Sequence, residues 1–263
     1  MNNPSASDTN PSVTNLVVQA LSYRYGHSPA LEDVSLTVAD GELVALVGRN
    51  GAGKSTLLRC IAGWTRPTQG EVLLQGQAIY RNERWTRQHI ILIPDTPPFY
   101  ETLTAWEHVQ MVAQLHRLTD WEDEAEKLLA RFGLWSNRDA FPFMYSRGMR
   151  YKLALCLALL LKPTLLLLDE PLGPLDPLSA SYLWTEFGRY QAEGMSIVLS
   201  SHQMPYAAHP DRYLVMEQGR LLCQGTPDEL RADLGLAGDF SLDNLLETAV
   251  TNLYTASSFI DHE

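Results

Sequence analysis

Positive charge is what this sequence lacks most: 20 Lys and Arg stand against 31 Asp and Glu, a formal net charge of -11. Binding to a phosphate backbone needs a basic surface, so the balance argues against broad nucleic-acid binding and leaves room only for a local anion site. Cysteine is scarce as well. Cys60, Cys156 and Cys223 lie far apart among apolar residues and form no Cys-x-x-Cys pair. That spacing argues against a disulfide framework or a metal site and fits a reducing cytosol. No apolar run is long enough to span a bilayer, because Lys162 and Pro163 divide "LALCLALLLKPTLLLLDEP". The opening "MNNPSASDTNPS" has no basic segment followed by an apolar one, and it reads as a disordered tail over residues 1–15. What the chain does have is length and core material: 263 residues, 45% of them apolar, enough for one large α/β domain or a main domain with a small appendage.

The patterning places strands first. "LVVQAL" and "VSLTV" alternate as half-buried strands do, on either side of the turn-like "YGHSPAL". "GELVALVG" is a short β-branched run ending in Gly, and "KSTLLRCIAGW" after it has helical spacing. "GEVLLQGQAI" reads as a strand pair about a Gly turn. From about Thr104 to Leu161 the pattern turns helical, with Trp106, Val109, Val112 and Leu115 expected on one face. "LLLLDEP" and "SIVLSSH" are continuous apolar runs of the kind buried in parallel sheets. "YLVMEQGRLLCQG" predicts a hairpin about Gln218-Gly219, and "SLDNLLETAVTNLY" one amphipathic helix in the C-terminal extension.

The chemistry concentrates in "GRNGAGKST", Gly48 to Thr56, which satisfies G-x-x-x-x-G-K-[ST] between a strand and a helix. Backbone N–H groups along Gly48, Asn50, Gly51, Ala52, Gly53, Lys54, Ser55 and Thr56 would converge on phosphates, aided by the helix N-terminus. The glycines at 48, 51 and 53 are expected to allow close approach and positive φ. Lys54 would reach the β- and γ-phosphates of ATP, and the Ser55 hydroxyl would ligate Mg²⁺. At the end of a buried strand, Asp169 can hold the same Mg²⁺ and Glu170 can polarise the attacking water. Adjacent carboxylates repel, and a divalent cation removes that penalty. His202 ends the next apolar run, where it could touch the γ-phosphate.

Together these residues resemble the ATPase subunit of an ABC transporter, over about Leu16 to Leu230. The resemblance implies a P-loop NTPase of the ABC type: a RecA-like core, an N-terminal antiparallel β subdomain and an inserted α-helical subdomain at about 96–160. It implies an ATPase domain over 16–235 and an extension over 236–263. Tyr25 would stack on adenine, as aromatics do on bases; the alternative is a strand residue packing on its neighbours. "YSRGM" resembles the family's signature loop, with Ser146 and Gly148 at the positions that contact the γ-phosphate of the opposing subunit. "GPLD" resembles the loop linking the two sites and places Asp176 there. The implied assembly is a head-to-tail dimer, a homodimer before a heterodimer. It would sit on the cytoplasmic face of the cell membrane, on an integral membrane permease.

Two positions depart from the family pattern. Arg147 replaces the first glycine and Met149 the glutamine of the usual LSGGQ, and Asp95 stands where the family has Gln. An Asp offers Mg²⁺ a hard anionic oxygen from a side chain one methylene shorter. Pro94, Pro97 and Pro98 keep the segment around Asp95 extended, so that Phe99 and Tyr100 present aromatic surface. In a lone enzyme these would be a staple for Trp106; by resemblance, the segment Asp95–Trp106 meets the permease. A ribosome- or nucleic-acid-associated ABC ATPase is the alternative function. A single phosphate loop, a modest helical insert and the net charge disfavour it. A binding-only regulator would require loss of Glu170 or His202, and both are present.

Overall fold

The computed structural model describes residues 14–202, 209–236 and 241–258. Strand β1 (Thr14–Tyr25) pairs antiparallel with β2 (Ser28–Ala39) through the predicted turn. It starts two residues inside the stretch assigned to the tail; residues 1–13 lie outside the described residues. After β3 (Leu43–Val47) and helix α1 (Lys54–Ile61), β4 (Gln69–Leu74) adds to the free edge of β1, and β5 (Gln77–Ala78) follows it. The result is a four-stranded sheet in the order β2-β1-β4-β5.

The second sheet has six strands. Helix α2 (Glu83–His89) leads into β6 (Ile90–Ile93), and three helices follow: α3 (Ala105–His116), α4 (Glu122–Arg131) and α5 (Arg147–Leu160). Then come β7 (Leu165–Leu168), α6 (Pro177–Ala192), β8 (Ser196–Ser201), β9 (Arg212–Glu217) and β10 (Arg220–Gly225). The order is β10-β9-β3-β8-β7-β6, parallel except for the last hairpin. That hairpin turns at Gln218 and Gly219 with φ of 49° and 80°, as a two-residue turn with positive φ at both positions requires. Helices α7 (Pro227–Leu234) and α8 (Leu242–Ser258) close the chain.

Both faces of the six-stranded sheet are covered, which is why its strands are uninterrupted apolar runs. Alternate residues serve different cores, because side chains in a strand point to opposite faces. Leu43, Ala45, Val47, Leu166 and Leu168 join the core shared with α3–α8. Val44, Leu46, Leu165 and Leu167 join a second core with α1 and the four-stranded sheet. Leu245, Leu246 and Ala249 of α8 are buried in the first core, so this C-terminal helix is packed onto the rest of the fold rather than hung from it.

One helical face differs from expectation. Ala105, His108, Val109 and Ala113 are buried on α3, whereas Leu115 is 72% exposed. Residues three apart drift by about 60° per step on a 3.6-residue helix, and three such steps carry Leu115 to the side opposite Trp106. The helix begins where Thr104 accepts from the Glu107 backbone N–H at 3.2 Å and Glu107 accepts from that of Thr104 at 2.7 Å, a reciprocal cap.

Candidate functional site

The parallel strands β3, β6, β7 and β8 point their C-terminal ends at one crevice, the place where open α/β sheets bind ligands. The loop from Gly48 leaves β3 there and enters α1. Gly51 and Gly53 hold positive φ, 85° and 103°, whereas Gly48 does not; its need is space. A Cβ on Gly48 would lie 2.3 Å from the Met216 backbone oxygen and 3.1 Å from the Ala52 Cβ. The three glycines are thus required for two different reasons. Close approach serves Gly48, left-handed backbone serves Gly51, and at Gly53 both apply, since its Cβ would also meet the Ala30 oxygen at 2.8 Å.

Lys54 is almost fully buried; its Nζ donates to the carbonyls of Gly48 at 2.7 Å and Arg49 at 3.3 Å and lies 3.5 Å from Glu170 Oε1. The Ser55 hydroxyl donates to Asp169 Oδ1 at 3.0 Å, across 114 residues of sequence. Thr56 follows in the first turn of α1 and lies 3.4 Å from the Tyr25 hydroxyl. Tyr25 ends β1 with its ring half exposed beside the phosphate loop and packed edge-on against Tyr23 at 4.9 Å. The local reading holds, since the ring packs on a strand neighbour, and half of it remains exposed.

The two adjacent acids face different partners. Asp169, buried at the end of β7, takes the hydroxyls of Ser55 and of Ser200 on β8, the latter at 2.7 Å. Glu170 turns away through a positive φ of 48°, a sparsely populated backbone for a residue with a Cβ, and meets His202 Nδ1 at 2.8 Å. Ser200 holds both residues: its hydroxyl donates to Asp169 and accepts from the Glu170 backbone N–H at 3.0 Å. Sequence reading missed it; the only signal is the pair of serines, Ser200 and Ser201, that closes the apolar run of β8. The His202 ring thus faces Glu170 directly.

Asp95 lies two residues beyond β6, beside Asp169, whose backbone N–H donates to Ile93 at the end of that strand at 2.9 Å. Its carboxylate accepts from Arg147 at 2.5 Å. Phe99 and Tyr100 pack on His108, with ring centroids at 5.3 and 6.1 Å, and His108 Nε2 accepts from the Tyr100 N–H at 3.0 Å. The staple on Trp106, the alternative for a lone enzyme, is not what forms. Trp106 instead meets Trp121 and Trp135, because α3 turns its Trp106 side toward the other helices of the insertion. Tyr100 stays 63% exposed.

Ser146 and Gly148 make their contacts with α5 and with the loop before α6. Ser146 caps α5, accepting from the Met149 N–H at 3.2 Å, and Gly148 packs so tightly that a Cβ would meet the Pro174 oxygen at 2.9 Å. Asp176 caps α6 through both the N–H and the hydroxyl of Ser179; those hydrogen bonds hold its carboxyl below the usual range. Ser179 also takes Lys152 of α5 at 2.9 Å, so the loop after Glu170 and the start of α5 form one unit.

The donor set suits a hard cation held jointly with phosphates. Ser55 and Asp169 already share an oxygen-lined position, and no cluster of three His, Cys, Asp or Glu that could hold a metal alone occurs among the described residues. Mg²⁺ characteristically takes one or two protein oxygens and completes its shell with phosphate and water.

Residues 31–173 match the family model described as ABC transporter. The ABC-type transporter ATP-binding protein EcsA of Bacillus subtilis strain 168 is 34% identical over 233 residues, spanning 88% of this chain and 94% of EcsA. YthP of the same strain, an uncharacterized ABC transporter ATP-binding protein, is 35% identical over 216 residues, 81% of this chain and 87% of its own. A solved ATP binding subunit of an ABC transporter superposes with a TM-score of 0.82 at 37% identity, covering 88% of this chain and 98% of that one.

Proposed function

Because this chain belongs to the ABC transporter ATP-binding family and is an ATPase of that family, we propose that it drives a separate membrane permease by hydrolysing ATP in a head-to-tail dimer. The observation that carries the catalytic part is the convergence of Lys54, Ser55, Asp169, Glu170 and His202 at the mouth of one phosphate-binding loop. In this reading the N–H groups from Gly48 to Thr56 cradle the phosphates and Tyr25 stacks on the adenine. Ser55 and Asp169 hold Mg²⁺, with Asp95 at its edge. When bound, the cation neutralises charge on the β- and γ-phosphate oxygens.

Glu170 takes the proton of the attacking water, and His202 fixes its carboxylate through Oε2. Lys54 now donates to two carbonyls and pairs with Glu170; a phosphate offers it a fully charged acceptor. In this reading Ser146, Gly148 and Asp176, which cap and pack the starts of α5 and α6, complete the site of a second copy. ATP drives the cycle by binding the closed dimer better than the open one.

In this reading the permease contact is Asp95–Trp106, where Tyr100 is exposed and Pro97 and Pro98 lie in a non-helical stretch ahead of α3. No helix among the described residues is long and apolar enough to cross a membrane, so attachment at the cytoplasmic face would come through that contact. Substituting Glu170→Gln tests the core of the reading. It should keep ATP binding, trap a dimer visible by size-exclusion chromatography, and lower turnover by about 10²- to 10⁴-fold. Hydrolysis at the wild-type rate would remove Glu170 as the base.

A further inference from the structure

We propose that Arg147 and the cation of bound nucleotide compete for the carboxylate of Asp95, making the Asp95–Arg147 ion pair a latch that tethers α5 until the site is loaded. The inference rests on the ATP-site reading above and adds a role for a residue that reading leaves idle.

The two side chains come from opposite ends of the helical insertion, 52 residues apart, and meet at 2.5 Å. Asp95 hangs from the end of β6, next to the strand that carries Asp169, while Arg147 is the first residue of α5. They are also two of the positions where this sequence departs from the pattern it resembles. A glycine and a neutral amide there could form no ion pair; this chain has both charges, in contact.

The electrostatics fit a latch rather than a brace. A cation in the first turn of a helix faces the positive end of the helix dipole, and a neighbouring anion relieves that cost. Asp95 supplies the anion now. Both side chains are about half exposed, 53% for Arg147 and 42% for Asp95, and exposed ion pairs are weak enough for a divalent cation to displace.

One turn further along α5, Tyr151 is fully buried with its hydroxyl lacking any hydrogen-bond partner. Burial pushes its pKa well above the ordinary value, and the charges of Asp169, Asp95 and Glu170 push it further in the same direction. Buried hydroxyls are normally satisfied, so this seating of α5 leaves a polar group waiting for a partner near the acids. Water carried on a cation between Asp169 and Asp95 would supply one. Loading the site thus withdraws Asp95 from Arg147 and frees the start of α5, with Ser146 and Gly148, to face the second copy.

The test is a linkage measurement in the full chain carrying Glu170→Gln, with a fluorescent ATP analogue and with Mg²⁺ as the variable. The quantity read is the ratio of the analogue's Kd without Mg²⁺ to that with it. Removing the competitor by Arg147→Gln should raise this ratio up to about fivefold, the range of an exposed ion pair. Arg147→Lys should return it to the parent value. In an Asp95→Asn background, Arg147→Gln should change nothing. An unchanged ratio in Arg147→Gln, or an equal rise with and without Asp95, overturns the latch and leaves the ATP site standing. Absence of analogue binding in the parent protein overturns the ATP site and the latch together.

Discussion

Ser200→Ala is the perturbation that most directly probes how the two acids are held. The hydroxyl is completely buried, donates to Asp169 Oδ1 at 2.7 Å and accepts from the Glu170 N–H at 3.0 Å. A hydrogen bond to an ionised group contributes about 1.5–3 kcal/mol and a neutral one about 1 kcal/mol. Asp169 keeps Ser55, so the losses overlap, and a net destabilisation of about 2–3 kcal/mol is expected. With a urea m-value of about 3 kcal/mol/M, the midpoint should fall by about 0.7–1 M. Turnover should fall further than affinity, because Glu170 loses the anchor that fixes its left-handed backbone. About tenfold in turnover corresponds to 1.4 kcal/mol at the transition state. Urea unfolding followed by both fluorescence and circular dichroism, with steady-state ATPase assays alongside, would measure both. A midpoint within about 0.2 M of wild type together with unchanged turnover would refute the idea that Ser200 organises the acids.

Other expectations follow from individual contacts. Gly48→Ala should abolish nucleotide binding, because its Cβ would sit 2.3 Å from the Met216 backbone oxygen and the loop must move; isothermal titration reads this directly. Tyr25→Ala should weaken ATP about 5- to 100-fold while Tyr25→Phe keeps most of the affinity, since stacking contributes about 1–3 kcal/mol and the 3.4 Å contact to Thr56 is marginal. Burial pushes the Cys60 thiol up to about 12 and the Cys223 thiol up to about 11. Both should resist Ellman's reagent at pH 8 until urea is added. The folded state then binds more protons than the unfolded chain, so these thiols contribute stability that is whole below about pH 8.5 and declines as pH rises toward their folded values. Alkaline urea midpoints would show the fall.

Several features were legible in the sequence because their causes are local. A phosphate loop is a run of backbone N–H groups shaped by its own glycines, and Gly48 to Thr56 carry that information in nine consecutive residues. The buried strands announced themselves by unbroken apolar runs, and the Gln218-Gly219 turn by its residue types. The helical face of α3 was misread where an every-third count was extended past two turns, a limit of phase rather than of propensity.

What the tertiary structure alone decided are the partners across long stretches of chain. Only the parallel register of β7 and β8 brings Ser200 between two acids thirty residues away, and only that register turns His202 onto Glu170 instead of outward. The same holds for Arg147 and Asp95, whose opposite charges in the sequence name no contact until the insertion folds back over β6. Residue types fix which chemistry is available; distances between strand ends, set by the packing of both sheet faces, fix which groups share it.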